Sequence, residues 1–240
     1  TQAVAGPYIA IGLFVLAWAA LVAFTRFPSA ATRRAQDEPD QLGWKQAIGG
    51  VLRNGRLMFA VVAQFFYVGA QVGVWSYTIR YAQVTTGMGE RAAADWVIAA
   101  LVAFMIGRFV GTALMGRFNP ARLMATYAAI NIALALMAFL VPGLVGLVAL
   151  TALSFFMSIM FPTIFALGVK DLGPYTQTGS SLIVMAIVGG AVLTPVMGAV
   201  STYGSIQLAM LVPAICFAVI GLYALSSVRR AGRSISVAAA

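Results

Sequence analysis

Gln64, Tyr67, Gln71, Trp75 and Thr78 recur at helical spacing along one apolar stretch of the chain. At 100° per residue they share an arc of about 100°. A carboxamide both donates and accepts hydrogen bonds, and an indole or phenol face stacks on the C–H side of a saturated ring. Together these groups suit a neutral polyol. The opposite side of the stretch carries Gly69 and Gly73, a small-xxx-small pair that lets a second helix approach closely. The plainer reading of the polar stripe is hydrogen bonding between helices.

A later stretch repeats the pattern with Thr151, Ser154, Ser158, Phe161 and Phe165 on one face. Pro162 removes a backbone donor there and predicts a kink. A Ser/Thr stripe serves packing as readily as binding, which leaves Phe161 the better ligand contact. A further stretch shows small residues at Ser180, Ala191, Thr194, Gly198 and Ser201, beside Gly189, Gly190 and Pro195. That pattern reads as a close-packing, bendable helix. Arg108 is the one charge well inside an apolar run, placed either to snorkel to the helix end or to face a cavity. Arg117 and Arg122 mark a tight basic turn.

The elements that position these groups follow from composition. Of 240 residues, 62% are hydrophobic and 9% charged, too few charges to cover a soluble surface. Seven apolar stretches, Pro7–Thr25, Leu57–Ala82, Asp95–Met115, Leu123–Val141, Leu144–Val169, Gly179–Thr202 and Gln207–Ser227, each approach the roughly 20 residues of a membrane span. None alternates as a barrel strand would. The polar stretch Arg26–Arg56 reads as a cytoplasmic, partly flexible linker. With it inside, twelve basic residues, including Arg117, Arg122, Lys170, Arg229, Arg230 and Arg233, lie on that side, against Arg80 and Arg91 outside. The amino end is therefore expected outside and the carboxyl end inside. The chain opens on Thr1 without an initiator Met, as expected of a processed or internal piece.

Several classes fall away. The net charge of +9 sits between apolar stretches, where it orients a membrane protein, so nucleic acid is not an expected partner. There is no His, and the only lysines, Lys45 and Lys170, lie in connections, which excludes a retinal Schiff base in the last helix. A membrane enzyme needs a nucleophile–base pair or a metal cluster, and neither is legible. No catalytic residue, metal ligand or cofactor is expected. Glu90 and Asp171 fall in connections and Asp95 at a helix end, so no mid-membrane acid offers to carry a proton.

One helix, a long linker and six tightly connected helices resemble the second half of a twelve-helix transporter. The turn Gly111–Arg122 resembles a degenerate form of the major facilitator loop motif G-x-x-x-D-R-x-G-R. The strings QFFYVGAQVGVWSYTIRYA (Gln64–Ala82), IGRFVGTALMGRF (Ile106–Phe118), SIMFPTIF (Ser158–Phe165) and GGAVLTPVMG (Gly189–Gly198), with Gly179-Ser180-Ser181, are similar to the fucose–glucose/galactose–proton symporter group of the major facilitator superfamily.

The resemblance implies an all-α membrane protein: a major facilitator half-bundle of seven transmembrane helices, one plus a six-helix domain. It implies a last amino-half helix over 1–25, a cytoplasmic linker over 26–56, a transporter domain over 57–228 and a cytoplasmic tail over 229–240. Its expected setting is the bacterial inner membrane, and its expected partners are a monosaccharide, a proton, the lipid bilayer and an amino-terminal half on the same or a separate chain. The proton-linked carboxylates are expected on that other half. Gln64, Tyr67, Gln71, Trp75, Ser158 and Phe161 are the expected sugar contacts; Arg108, Arg117, Arg122, Pro162 and Pro195 are the expected gating or structural residues. Fucose-carrying members have Gln-Tyr where this chain has Met160-Phe161, and SIMFPTIF looks more like relatives carrying glucose, galactose or mannose. A half-length membrane protein that pairs with a copy of itself or with a separate half is the alternative.

Overall fold

The computed structural model of the chain describes residues 12–21, 24–25 and 44–238, without the side chains of 44, 45, 47 and 231–238. Expectations for 1–11 and 26–43, including Arg26, Arg33 and Arg34, lie outside the described residues. The chain divides into two compact units, Thr1–Leu42 and Gly43–Ala240. In the first, α1 (Gly12–Leu21) is a short apolar helix. Its Phe14 and Trp18, one turn apart, meet edge to face at 6.4 Å.

The second unit is helical throughout, with no strand among its described residues. Its elements are α2 (Trp44–Arg53), α3 (Gly55–Thr86), α4 (Glu90–Met115), α5 (Pro120–Leu140), α6 (Leu144–Met157), α7 (Met160–Val169), α8 (Thr176–Met185), α9 (Gly189–Tyr203), α10 (Ile206–Ala209) and α11 (Leu211–Ala238). By length and composition six spans among the described residues are able to cross a membrane: α3, α4, α5, α6 with α7, α8 with α9, and Ile206–Arg230. Five of the six begin before the apolar stretch expected for them, two of them at asparagine caps. Asn54 accepts from the Arg56 and Leu57 amides, and Asn119 from those of Ala121 and Arg122 ahead of Pro120. Glu90, expected in a connection, lies in the first turn of α4, where its charge complements the helix dipole. Part of the expected linker is also helical: α2 buries Val51, and its Gly50 lies close against the Tyr175 side chain.

The long central helix is α3, in contact with α4, α6, α7, α9 and α11. Gly69 and Gly73 face Leu193 and Met197 of α9, the close approach their spacing predicts. Gly189 at the start of α9 lies directly against the Phe65 carbonyl. The α8–α9 span is interrupted by a 3₁₀ turn at Ala186–Val188, before Pro195 rather than at it. On the other flank α5 packs against α11 and α6, and the Tyr81 hydroxyl donates to the Ala138 carbonyl at 2.7 Å.

Candidate functional site

The span formed by α6 and α7 breaks at Ser158–Ile159, one turn before Pro162. Proline lacks the N–H that the Ser158 carbonyl would receive in an unbroken helix. Arg108 of α4 fills that role, its Nη2 donating to the carbonyl at 3.2 Å. On the α5 side the Asn131 amide, oriented to satisfy both neighbours, donates to the Leu153 carbonyl at 3.2 Å and accepts from the Met157 amide at 3.3 Å. Beyond the break, Arg56 Nη2 donates to the Leu167 carbonyl at 2.9 Å and Nη1 pairs with Asp171 at 3.4 Å. Asp171 turns the chain with a φ of 63°, in the left-handed region.

An aromatic wall stands around this break. Trp75 and Phe104 meet edge to face at 5.2 Å, and the Trp75 indole N–H donates to Ser154 Oγ at 3.2 Å. The Arg108 guanidinium lies 4.9 Å from the centre of the Phe104 ring, within cation–π range. Phe161 meets Tyr67 at 6.1 Å and 69°.

The expected sugar contacts divide by depth. Gln71, Trp75 and Phe161 are half-buried on this bundle, whereas Gln64, Tyr67 and Ser158 have no exposed surface. The division follows from the central place of α3, whose stripe is roofed by neighbouring helices along part of its length. The Gln64 carboxamide and Tyr67 hydroxyl, one turn apart, find no hydrogen-bond partner among the described residues. Several stripe hydroxyls bond their own helices instead: Thr78 to Val74, Thr151 to Leu147 and Ser158 to Phe155.

Arg117 and Arg122 are exposed at the α4–α5 turn and line a cleft of about 410 Å³ with Asn119 and Thr126. Pro162 lies in the first turn of α7, and Pro195 inside α9. Phe104 is the wall residue that the sequence stripes do not identify; its position one turn before Arg108 on the same helix is the signal that could have found it.

An all-helical bundle of apolar spans, one of them broken beside an amide–aromatic wall, defines a multi-helix membrane class of protein. The Major Facilitator Superfamily model matches residues 4–195, and the chain belongs to that superfamily. The L-fucose-proton symporter of Escherichia coli (strain K12) is 47% identical over 220 residues, covering 91% of this chain and 50% of the relative. The glucose/galactose transporter of Brucella abortus biovar 1 (strain 9-941) is 33% identical over 226 residues, covering 93% and 53% respectively. The crystal structure of the Major Facilitator Superfamily transporter FucP in the outward conformation superposes with a TM-score of 0.83 at 44% identity, covering 94% of this chain and 55% of that one. The chain spans about half the length of the curated relatives it matches.

Proposed function

We propose that this chain is the carboxyl-terminal half of a secondary active transporter that brings a monosaccharide and protons across the bacterial inner membrane by alternating access. The observation that carries the reading is the wall of Gln71, Trp75 and Phe161 standing half-open beside the buried, unpaired Gln64 and Tyr67. A buried polar group without a partner costs about 1–3 kcal/mol, so such a pair is worth keeping where a hydroxylated ligand or its water can satisfy it. The names of the relatives, one a fucose symporter and one a glucose/galactose transporter, support a hexose or deoxyhexose. Overall identity favours fucose, whereas Met160-Phe161 offers a thioether and a ring face without a hydroxyl, which favours glucose, galactose or mannose. The proton-linked carboxylates belong to the amino-terminal half: Glu90 and Asp95 are exposed near the start of α4, and Asp171 is exposed in a turn. The basic residues at the α4–α5 turn, at Lys170 and near the end of α11 support a cytoplasmic carboxyl end.

The test uses the transporter assembled with its amino-terminal half. Gln71→Ala and Trp75→Ala raise the KM for sugar uptake by about tenfold each, the loss of one good ligand contact, at unchanged expression. Unchanged uptake by both variants removes them from the site.

A further inference from the structure

We propose that Arg108 is a positioning residue: it replaces the backbone donor that Pro162 lacks, and so holds the α6–α7 break that sets where Phe161 stands. The proposal rests on the transport reading above.

The local covalent chemistry comes first. Residue 162 would bond the carbonyl of residue 158 in a regular helix, and a proline there leaves that carbonyl without its ladder partner. Ser158 is fully buried, so bulk water is not at hand to replace the lost donor. The Arg108 guanidinium reaches this carbonyl from another helix at 3.2 Å. A cationic donor makes a stronger bond than a neutral amide.

The neighbours of Arg108 are shaped for that reach. A Cβ on Gly107 would stand 2.9 Å from Ser158 Oγ and closer still to the Phe155 carbonyl; one on Gly111 would collide with Ile159. Two glycines four residues apart thus bring the α4 backbone onto the broken turn, with Arg108 between them. Asn131 secures the preceding turn from α5 at Leu153 and Met157. The same guanidinium rests on Phe104, which meets Trp75, whose indole bonds Ser154. The break and the aromatic wall therefore share one charged brace. Phe161 begins immediately beyond the break and contacts Tyr67.

Pro162→Ala supplies the decisive background, because alanine restores an N–H at 162 that can serve the Ser158 carbonyl. In the assembled transporter, Arg108→Gln is expected to raise the KM for sugar uptake about tenfold with kcat held within about twofold. In the Pro162→Ala background the same change is expected to raise KM less than about twofold. Equal losses in the two backgrounds overturn the proposal, and are the result expected of an arginine that contacts sugar or serves coupling by its charge. If Arg108→Gln fails to reach the membrane, thermal unfolding in detergent makes the same comparison with Arg108→Lys. A midpoint that drops in the native background and not beside Pro162→Ala supports the brace, and an equal drop in both overturns it.

Discussion

Between α5 and α11 the helices meet through small apolar residues. Ala121, Ala128 and Ala135, seven residues apart, are all buried on α5, and a Cβ placed at Gly221 of α11 would sit 3.6 Å from that of Ala128. Both helices there are continuous, and among the described residues they meet by packing. Between α4 and the α6–α7 break the approach is closer still, and it is stitched by Arg108 to a carbonyl, while Asn131 holds the same turn from α5. The difference teaches where this bundle spends polar side chains. Hydrocarbon offers a backbone carbonyl no substitute partner, so an interruption in a span has to be repaired: by side chains at the α6–α7 break, and by a 3₁₀ turn at Ala186–Val188. The unbroken pair needs none, and the seven-residue regularity of its alanines is all that a supporting pair requires.

Three variants break or sharpen that contrast. Gly107→Val has the largest expected effect. Its side chain meets the Phe155 carbonyl, part of a backbone that cannot step aside, so overpacking costs at least about 3 kcal/mol. The expected outcome is loss of the monodisperse peak in fluorescence-detected size-exclusion chromatography. Ala128→Leu follows, at about 1–3 kcal/mol, lowering the thermal midpoint by several degrees while the KM for sugar stays unchanged. A KM that moves with it would show that the supporting pair and the site are mechanically one. Asn131→Leu is the smallest, about 1 kcal/mol in a membrane setting. It differs in kind: despite belonging to α5, it is expected to raise KM as well as lower the midpoint, because its partners lie beside the break.

Much of the architecture was legible beforehand because membrane spans announce themselves by hydropathy. The stretch Leu144–Val169 coincides with the structural span, and Gln207–Ser227 lies within Ile206–Arg230. Two of the starts that moved did so where Asn54 and Asn119 cap helices beyond the apolar run. The packing role of Gly69 and Gly73 was also legible, since a helix face without side chains invites a neighbour. Depth was not. Helical phase puts Gln64 and Gln71 on the same stripe, but only the placement of other helices over α3 decides that one is enclosed and the other half-open. Arg108 offered a choice between snorkelling and a cavity because its partner is a carbonyl 50 residues away, freed by a proline on another span. A single sequence records the lost donor and the spare donor without recording that they meet.

The short helix α7, ten residues long, is clipped at both ends by guanidinium groups carried on other helices. Arg108 grips the Ser158 end and Arg56 the Leu167 end. A rod fastened twice has no free tip. The Arg56 clip is shared with Asp171, whose side chain is 70% exposed, so dissolved ions screen that ion pair.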